Sequence, residues 1–201
     1  MSDHNIIADV GDALIKLLRE GLVPDIIQNS EGIGACSPAD RGDISLGIYL
    51  YDIRRNPAIT DTGRVPVGVN QFRAPSVFLD LYYMITAYSS SDIKFRSLEE
   101  AKMLGRTMQV LEGTSVLRGS LFGKPFSEMK YEPKIELLEL ETEEKNRIWN
   151  IPNQPYRLSL FYKVYPVELV SEKITSITRV VETDITIGQI GRQESDSESE
   201  S

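Results

Sequence analysis

The longest run of alternating apolar side chains lies between Pro75 and Tyr88. Apolar residues occupy both faces of the run, with Asp80 and Thr86 as polar exceptions. One face is formed by Val77, Leu79, Leu81, Tyr83, Ile85 and Ala87, and the other by Phe78, Tyr82, Met84 and Tyr88. A pattern that is apolar on both faces predicts a strand near the middle of a sheet, covered on both sides. A helix is the alternative, but the density of aromatic residues favours the strand.

The best-formed helix of the sequence follows that strand. Ser97 and Glu100 have the spacing of a capping box, and Gly113 supplies a left-handed stop. The stripe expected to face the core consists of Leu98, Ala101, Leu104, Gly105, Met108 and Leu111. Met103 and Val110 fall on the opposite side of the predicted helix. Two such side chains either form a small patch for another subunit or are incidental surface residues.

The N-terminal residues 5–20 have the periodicity of an amphipathic helix. Its apolar stripe consists of Ile6, Ile7, Val10, Ala13, Leu14, Leu17 and Leu18. Gly21 is expected to end the helix, and Pro24 prevents its resumption. A short strand is expected at residues 22–28, followed by a surface loop at 29–43.

Four further segments have the pattern of strands, and one has that of a short helix. The strands are expected at residues 44–53, 135–140, 156–165 and 174–187, and the helix at 142–149. Pro166 argues against a central continuation of the third of these strands. Trp149 is the only tryptophan, and packing is its default role.

The order of these elements predicts a fold of the α/β class, of the α+β type. We expect a mixed, mainly antiparallel sheet, with the N-terminal helix and the central amphipathic helix packed on it. A chain of 201 residues with 41% hydrophobic content can bury one core, so residues 1–190 are expected to form a single domain. Residues 191–201 are rich in Ser and Glu, which predicts a disordered acidic tail.

The net charge and the counts of reactive residues exclude several classes of protein. A formal charge of −8 argues against binding to nucleic acid or to an anionic membrane, since both require concentrated Lys and Arg. Cys36 and His4 are each the only residue of their type, which excludes an internal disulfide and a cysteine-based zinc cluster. The first residues carry no secretory signal and no stretch reaches the ~20 apolar residues of a membrane span, so we expect a cytoplasmic protein.

Candidate chemistry is limited to carboxylates in or beside strands. Asp52, Asp80 and Glu168 are so placed, and a pair of carboxylates can in principle perform acid–base work. Asp80 interrupts an apolar strand, and we interpret it as a structural carboxylate that backbone N–H groups, an arginine or a neighbouring subunit satisfies. No spacing indicates a metal, phosphate or dinucleotide site. We therefore expect a protein that is not an enzyme and that holds no cofactor.

Residues 54–73 form a basic segment in an acidic protein. The segment carries Arg54, Arg55, Arg64 and Arg73 against Asp61 alone, and it has no convincing period. Long connections of this kind are usually functional or disordered. One interpretation is a solvated connector, and the other is a docking arm for a partner surface. The acidic stretch Glu136, Glu139, Glu141, Glu143 and Glu144 is a candidate counterpart.

Several of these segments resemble a known protein family in their sequence motifs and in the order of those motifs. The motif P-S-V-F-L-D-L-Y-Y-M-I-T-A-Y, followed by E-A-K-M-L-G-R-T-M-Q-V-L, resembles the central motif of tail-terminator (sheath-cap) proteins of extracellular contractile injection systems, of the antifeeding-prophage type. The N-terminal helix, the strand at 44–52 and the segment Y-R-L-S-L-F-Y-K-V-Y-P-V after Trp149 are also similar. The resemblance covers roughly residues 1–170.

This resemblance implies a structural role. Such terminators are small α/β domains that close into a six-membered ring, end the growth of the inner tube and sheath, and lock the last sheath layer to the tube. It implies inner-tube and sheath proteins as partners, and a location in the cytoplasm during assembly and in the particle afterwards. A ring needs complementary patches on one surface. The candidate interface residues are Arg54, Arg55, Arg64, Arg73, Met103, Val110, Glu139 and Glu141.

Two other functions stay open from the sequence. A monomeric acidic adaptor or assembly chaperone would share the acidic surface and the lack of catalytic motifs. A carboxylate-based hydrolase is the less favoured alternative, because the usual catalytic bases are scarce. A stable ring in solution distinguishes the terminator from the adaptor.

Overall fold

The computed structural model of the chain describes residues 4–59, 63–118 and 131–176. Three helices and eight strands follow one another in it: α1 (Ile6–Leu22), β1 (Ile33–Ala35), β2 (Leu46–Arg55), β3 (Val65–Gly68), β4 (Gln71–Arg73), β5 (Val77–Ala87), α2 (Ile93–Gly113), β6 (Lys134–Leu137), α3 (Thr142–Ile148), β7 (Ser159–Leu169) and β8 (Ile174–Ser176). They form two sheets, which are mostly antiparallel. The mixed fold with helices packed on an antiparallel sheet is thus confirmed.

The larger sheet has the strand order β1-β2-β5-β7-β6. Its central strand is β5, the segment that is apolar on both faces, as the sequence predicts. β2 pairs with β5 in antiparallel register from Leu46↔Ala87 to Arg55↔Leu79. β1 is the exception, since it pairs with β2 in parallel.

The main core lies between one face of this sheet and the helices α1 and α2. The buried residues of α1 are Ile6, Val10, Ala13, Leu14, Leu17, Leu18 and Leu22, which confirms the predicted stripe except for the half-buried Ile7. The helix continues through Gly21, so the expectation that this glycine ends it is wrong. Gly21 instead allows the two helices to approach each other. A Cβ built on it would overlap the Cγ2 methyl of Val110, and Arg106 Nε donates to its carbonyl at 3.0 Å.

This close approach predicts the effect of a small substitution. Gly21→Ala should destabilise the protein by about 1–2 kcal/mol, because Val110 is held in one rotamer and cannot turn away, and the better helix propensity of Ala offsets only part of the strain. Urea denaturation measures the change. In a Val110→Ala background, the same substitution should cost nothing or stabilise. An equal cost in both backgrounds would mean that the two helices do not meet at this point.

α2 is rotated relative to the predicted orientation, and only Leu104 and Leu111 of the expected core stripe are buried. Its buried residues are Met103, Leu104, Thr107 and Leu111, and Val110 is half-buried against the same core. The expectation that Met103 and Val110 form an exposed patch is therefore wrong. Leu98, from the predicted core stripe, is 60% exposed. Thr107 can be buried because its hydroxyl donates to the Met103 carbonyl at 2.8 Å, which satisfies the polar group within the helix.

The start of α2 also differs from the prediction. The helix begins at Ile93 after Asp92, four residues before Ser97, and no side chain caps it. Glu100, the expected partner of Ser97, instead accepts hydrogen bonds from the Ser89 backbone at 3.2 Å and from Arg157 at 2.9 Å. The capping-box interpretation is therefore wrong. The carboxylate ties the helix start to the ends of β5 and β7.

The opposite face of the sheet is covered by α3 and the residues that follow it. Met84, Phe161 and Trp149 are buried together there, and the indole Nε1 donates to Ser159 Oγ at 3.2 Å. The predicted packing role of Trp149 is confirmed. The predicted helix at 142–149 and the start of the predicted strand at 135–140 also appear, as α3 and β6.

Two strand predictions need correction. Residues 22–28 end α1 and form turns, and the strand lies further along, at β1, within the segment expected to be a loop. β7 runs through Pro166, because its register with β5 shifts between Leu79↔Val167 and Leu81↔Val164. A proline is tolerated at such an irregularity, where no ladder N–H is required.

The second sheet has the strand order β3-β4-β8. Two of its strands, β3 and β4, lie in the segment 54–73, which was expected to lack regular structure. β3 and β4 are antiparallel, and β4 pairs with β8. The interpretation of 54–73 as an irregular connector is therefore wrong. β8 covers the first residues of the strand predicted at 174–187, and the rest of that strand and the tail at 191–201 lie outside the described residues.

Candidate assembly interface

The small sheet projects from one end of the large one. We call residues 63–73 together with β8 the arm, since β4 leads into β5 and β8 follows β7. Val65, Arg73 and Ile174 lie side by side across its three strands, and both apolar side chains are about half exposed. Val69, in the turn between β3 and β4, is 99% exposed. Among the described residues, two apolar side chains that flank an arginine are thus left about half exposed, which is unusual for a solvated connector.

The four predicted arginines lie at this end, but they are not equivalent. Arg54 pairs with Asp52 at 2.6 Å and its guanidinium lies 4.8 Å from the centre of the Tyr82 ring. The hydrogen bond to Asp52 raises the pKa of Arg54. Within the described residues, Arg55, Arg64 and Arg73 have no ion-pair partner. Three cations at the arm end are thus available for a partner.

The predicted acidic counterpart lies on the α3 side of the same sheet. Glu139 and Glu141 are exposed before α3, and Glu136 pairs with Lys163 at 3.4 Å. A hydrogen bond from Tyr165 lowers the pKa of Glu136. Glu136 is therefore charged at neutral pH.

Tyr51 relates this acidic stretch to the root of the arm. Burial, and to a smaller extent Glu144, raise the pKa of its hydroxyl to about 12, although Arg54 acts to lower it. Tyr51 also packs on the same cluster as Leu138 and Leu140 of the acidic stretch. Its ring lies 6.1 Å from that of Tyr82, over which Arg54 lies. Arg54 and the acidic stretch therefore lie on the same face of the large sheet. The structure does not place the two predicted patches on opposite sides, as a contact between successive ring subunits requires.

A groove of about 800 Å³ lies at the other end of the sheet. It runs between the turn after α1 and the first half of α2. Its lining includes the apolar side chains of Ile26, Ile27, Tyr88 and Met103, and the carboxylates of Asp25, Glu31, Asp43 and Glu99, with Lys102 as the basic residue. The balance of charge around the groove is negative, the opposite of that at the arm.

Backbone contacts hold the walls of the groove. Ser45 N donates to Gly32 O at 2.8 Å, and Tyr88 N donates to Ser45 O at 2.8 Å, which joins the loop after α1 to the ends of β2 and β5. Hydrogen bonds from the hydroxyls of Ser91 and Ser89 lower the pKa of Glu99. Glu99 therefore stays charged at neutral pH at the groove edge.

Two arginines lie against the Tyr88 ring behind the groove, and one of them is also ion-paired. Arg41 and Arg157 lie 5.0 and 5.3 Å from the centre of the Tyr88 ring, and Arg157 is neutralised by Glu100. Asp25 and Asp43 have no ion-pair partner within the part of the chain that the structure describes. The free carboxylates of the groove thus face outward.

The arm and the groove are separated by the length of the central strands. β2 begins at Leu46 beside the groove and ends at Arg55 beside the arm, and β5 runs the opposite way from Val77 to Ala87. Nine residues of extended chain span about 30 Å. The basic and acidic surfaces therefore lie at opposite ends of one rigid sheet.

A buried hydrogen bond fixes the root of the arm. Asn56 Nδ2 donates to Asp80 Oδ1 at 2.7 Å, and both residues are 6% exposed. Asn56 Oδ1 accepts from the backbone N–H groups of Ala58 and Ile59 at 2.9 and 3.0 Å. The side chain therefore sets the direction in which the chain leaves β2. Asp80 has a structural partner, as expected, although that partner is a side-chain amide.

The sequence reasoning missed Asn56 and the groove residues. Asn56 precedes Pro57 directly after a strand, a signal for a turn that was available from the sequence. The groove joins Asp25, Asp43 and Glu99, which no local pattern connects. Of the other candidate carboxylates, Asp52 is engaged by Arg54, and Glu168 lies opposite Phe78 in the β5–β7 register.

The described part of the chain offers no group of three or more His, Cys, Asp or Glu residues that could hold a metal ion. None of its helices combines the length and the apolar character that a membrane span requires.

Comparison with known proteins places this fold among components of contractile particles. The model of the Pvc16 N-terminal domain family matches residues 9–183. The sheath/tube terminator of the extracellular contractile injection system PVC, in its extended state, matches with a TM-score of 0.60 and 20% identity over 94% of this chain. The tube-terminating cap of the anti-feeding prophage matches with a TM-score of 0.56 and 20% identity over 90% of this chain. The chain spans 65% and 61% of the length of these two solved chains. No curated protein sequence matches it.

Proposed function

The chain belongs to the Pvc16 N-terminal domain family, and we propose that it is a structural terminator of a contractile injection particle. In this role it ends the growth of the inner tube and the sheath, and it holds the last sheath layer to the tube. The observation that carries the proposal is the fold that it shares, over most of its length, with a sheath/tube terminator and with a tube-terminating cap. The family resemblance expected from the sequence is confirmed by the family match.

We further propose that the active form is a ring of six copies. A terminator must present the same surface to every subunit around a tube, and a closed ring of identical copies does so by symmetry. A heterologous interface closes only if each copy carries two different, complementary surfaces. The exposed row of the arm supplies one of these surfaces, together with Arg55, Arg64 and Arg73, which have no ion-pair partner among the described residues.

The same surfaces account for the partners that we propose. The tube and sheath subunits would contact sides of the ring that the ring itself leaves open, such as the acidic stretch around Glu139 and Glu141. These side chains are exposed in the single chain. A monomeric adaptor remains the alternative if no ring forms.

Removal of the arm cations tests the proposal. We expect Arg55→Ser, Arg64→Ser and Arg73→Ser together to leave the chain folded, because these side chains make no ion pair in the described residues. The ring should weaken, since charges that are desolvated at an interface contribute about 2–5 kcal/mol when one partner is removed. Circular dichroism reports the fold, light scattering the ring, and electron microscopy the lengths of tubes assembled with the protein.

The matched control removes three cations elsewhere. Lys16, Arg118 and Arg147 are exposed and lie outside the arm, so their replacement by Ser should leave the ring and the tube lengths unchanged. Tubes of uncontrolled length with the arm variant alone would support the proposal. Wild-type protein that does not form a ring and does not limit tube length would favour the adaptor.

A further inference from the structure

We propose that the groove between the turn after α1 and the first half of α2 receives the arm of a second copy of this chain. The contact is the one that closes the ring, so it rests on the proposed function. It replaces the acidic stretch 136–144 as the counterpart of the basic segment. Leu138 and Leu140 of that stretch pack on the same cluster as Tyr51. Tyr51 contacts the Tyr82 ring that lies under Arg54, which places the stretch on the same face of the large sheet as Arg54.

Charge complementarity identifies the occupant. The arm end presents Arg55, Arg64 and Arg73, whereas the groove presents Asp25 and Asp43, all without ion-pair partners among the described residues. In a protein of net charge −8, most exposed surfaces repel another copy. The arm contains most of the basic segment 54–73, and its arginines would form ion pairs with Asp25 and Asp43 of the groove.

Shape and polarity agree with this assignment. The tip of the arm is the antiparallel hairpin of β3 and β4, and its turn carries a fully exposed valine, Val69. Val65 and Ile174 of the arm are about half exposed. The groove has apolar side chains of Ile27, Tyr88 and Met103 within an acidic rim. Its volume of about 800 Å³ lies within the roughly 300–1,000 Å³ of sites that enclose a small ligand. It therefore fits the turn and first residues of a hairpin.

The positions of the two surfaces favour a second copy over the same chain. About 30 Å of sheet separates them, so the arm cannot reach the groove of its own subunit. Two complementary surfaces at opposite ends of one subunit define a heterologous, head-to-tail contact, the kind that generates rings when the rotation closes.

Charge reversal tests the contact. Arg64→Glu with Arg73→Glu reverses the arm, and Asp25→Lys with Asp43→Lys reverses the groove. Each double variant should stay folded by circular dichroism and lower the association constant of the ring by about tenfold or more in light scattering and native mass spectrometry. Lys16→Glu with Arg118→Glu is the matched control and should leave the ring intact.

Recombining the variants gives a result specific to this pairing. A chain that carries all four reversals should form closed rings again, with the polarity of the contact inverted. A mixture of the arm-reversed and groove-reversed chains should also form rings, in which the two chains alternate, because the reversed arm then meets the reversed groove and the native arm meets the native groove. Rings in either double variant alone, or no recovery in the quadruple variant, would overturn the proposal.

Tube length is scored separately, so that the two proposals fail differently. Wild-type rings that do not end tube growth would contradict the terminator role and leave the arm–groove contact in place. Loss of the ring on arm reversal without any effect of groove reversal would overturn the arm–groove contact, because the arm would then bind a different surface of the neighbouring copy.

Discussion

Asn56→Asp is expected to lower the free energy of unfolding by about 3 kcal/mol or more. The substitution keeps the size of the side chain and keeps an oxygen for the backbone N–H groups of Ala58 and Ile59. It removes the donor to Asp80 and sets two buried carboxylates about as far apart as the present 2.7 Å hydrogen bond. A buried charge that loses its partner is among the most damaging changes in a protein core. Urea denaturation at neutral pH gives the magnitude.

The exchange variant separates this repulsion from a simple loss of packing. Asn56→Asp combined with Asp80→Asn restores one amide and one carboxylate with their roles reversed, and it should recover most of the lost stability. Asp80→Asn alone should cost only about 1 kcal/mol, since the new amide can turn its oxygen toward Asn56 and loses only the assistance of the charge. If the costs of the two single changes simply add in the double variant, the side chains are not coupled.

Trp149→Ala is expected to cost about 3–5 kcal/mol, the range for removing a buried aromatic side chain from a core. Trp149 is 5% exposed and fills the space between Met84, Phe161 and the residues around α3. Its loss also deprives Ser159 Oγ of a donor. The second core is small, so few neighbouring side chains can collapse into the cavity. Chemical denaturation followed by circular dichroism measures the change, because the only tryptophan is then absent.

Trp149→Phe is the matched comparison. It keeps an aromatic ring in the cavity and removes the indole N–H, so the loss should be about half that of the alanine variant. Ser159 keeps its contact with Thr86 at 2.8 Å in both variants. Equal losses in the two variants would mean that the hydrogen bond, and not the volume of the ring, holds α3 on the sheet.

The elements with one strong period could be predicted from the sequence. α1 has a single apolar stripe, and β5 is apolar on both faces, so each has one favourable position in a layered fold. The cover over both faces of β5 follows from its composition. These two elements already define a helix-covered sheet.

α2 could not be oriented in this way, because it carries two apolar stripes. Leu98 and Met108 lie on one stripe, and Met103 and Val110 on the other. The glycine at position 21 of α1 decides between them, since it accepts the branched side chain of Val110 at close range. Such a choice depends on a residue almost ninety positions away, which local periodicity does not contain.

The candidate interface was predicted only in part. The basic residues of 54–73 are contiguous enough to be noticed, but Pro66 and Gly68 conceal the short strands of the arm, and their pairing with β8 is a long-range contact. The groove is built from residues of four separate segments. Its acidity therefore becomes visible only once α1, β2 and α2 are folded together.

The antiparallel pairing of β2 and β5 has a mechanical consequence. If the arm of one subunit is bound in the groove of the next, a tensile force between them acts on each subunit at both ends of these strands, at the arm and at the groove. The backbone hydrogen bonds between antiparallel strands lie perpendicular to the strand direction. Such a load therefore acts in shear on the whole ladder from Leu46↔Ala87 to Arg55↔Leu79 at once, and no single bond can be peeled open first. The strand pair at the centre of the core would then carry the tension that acts along the circumference of the proposed ring.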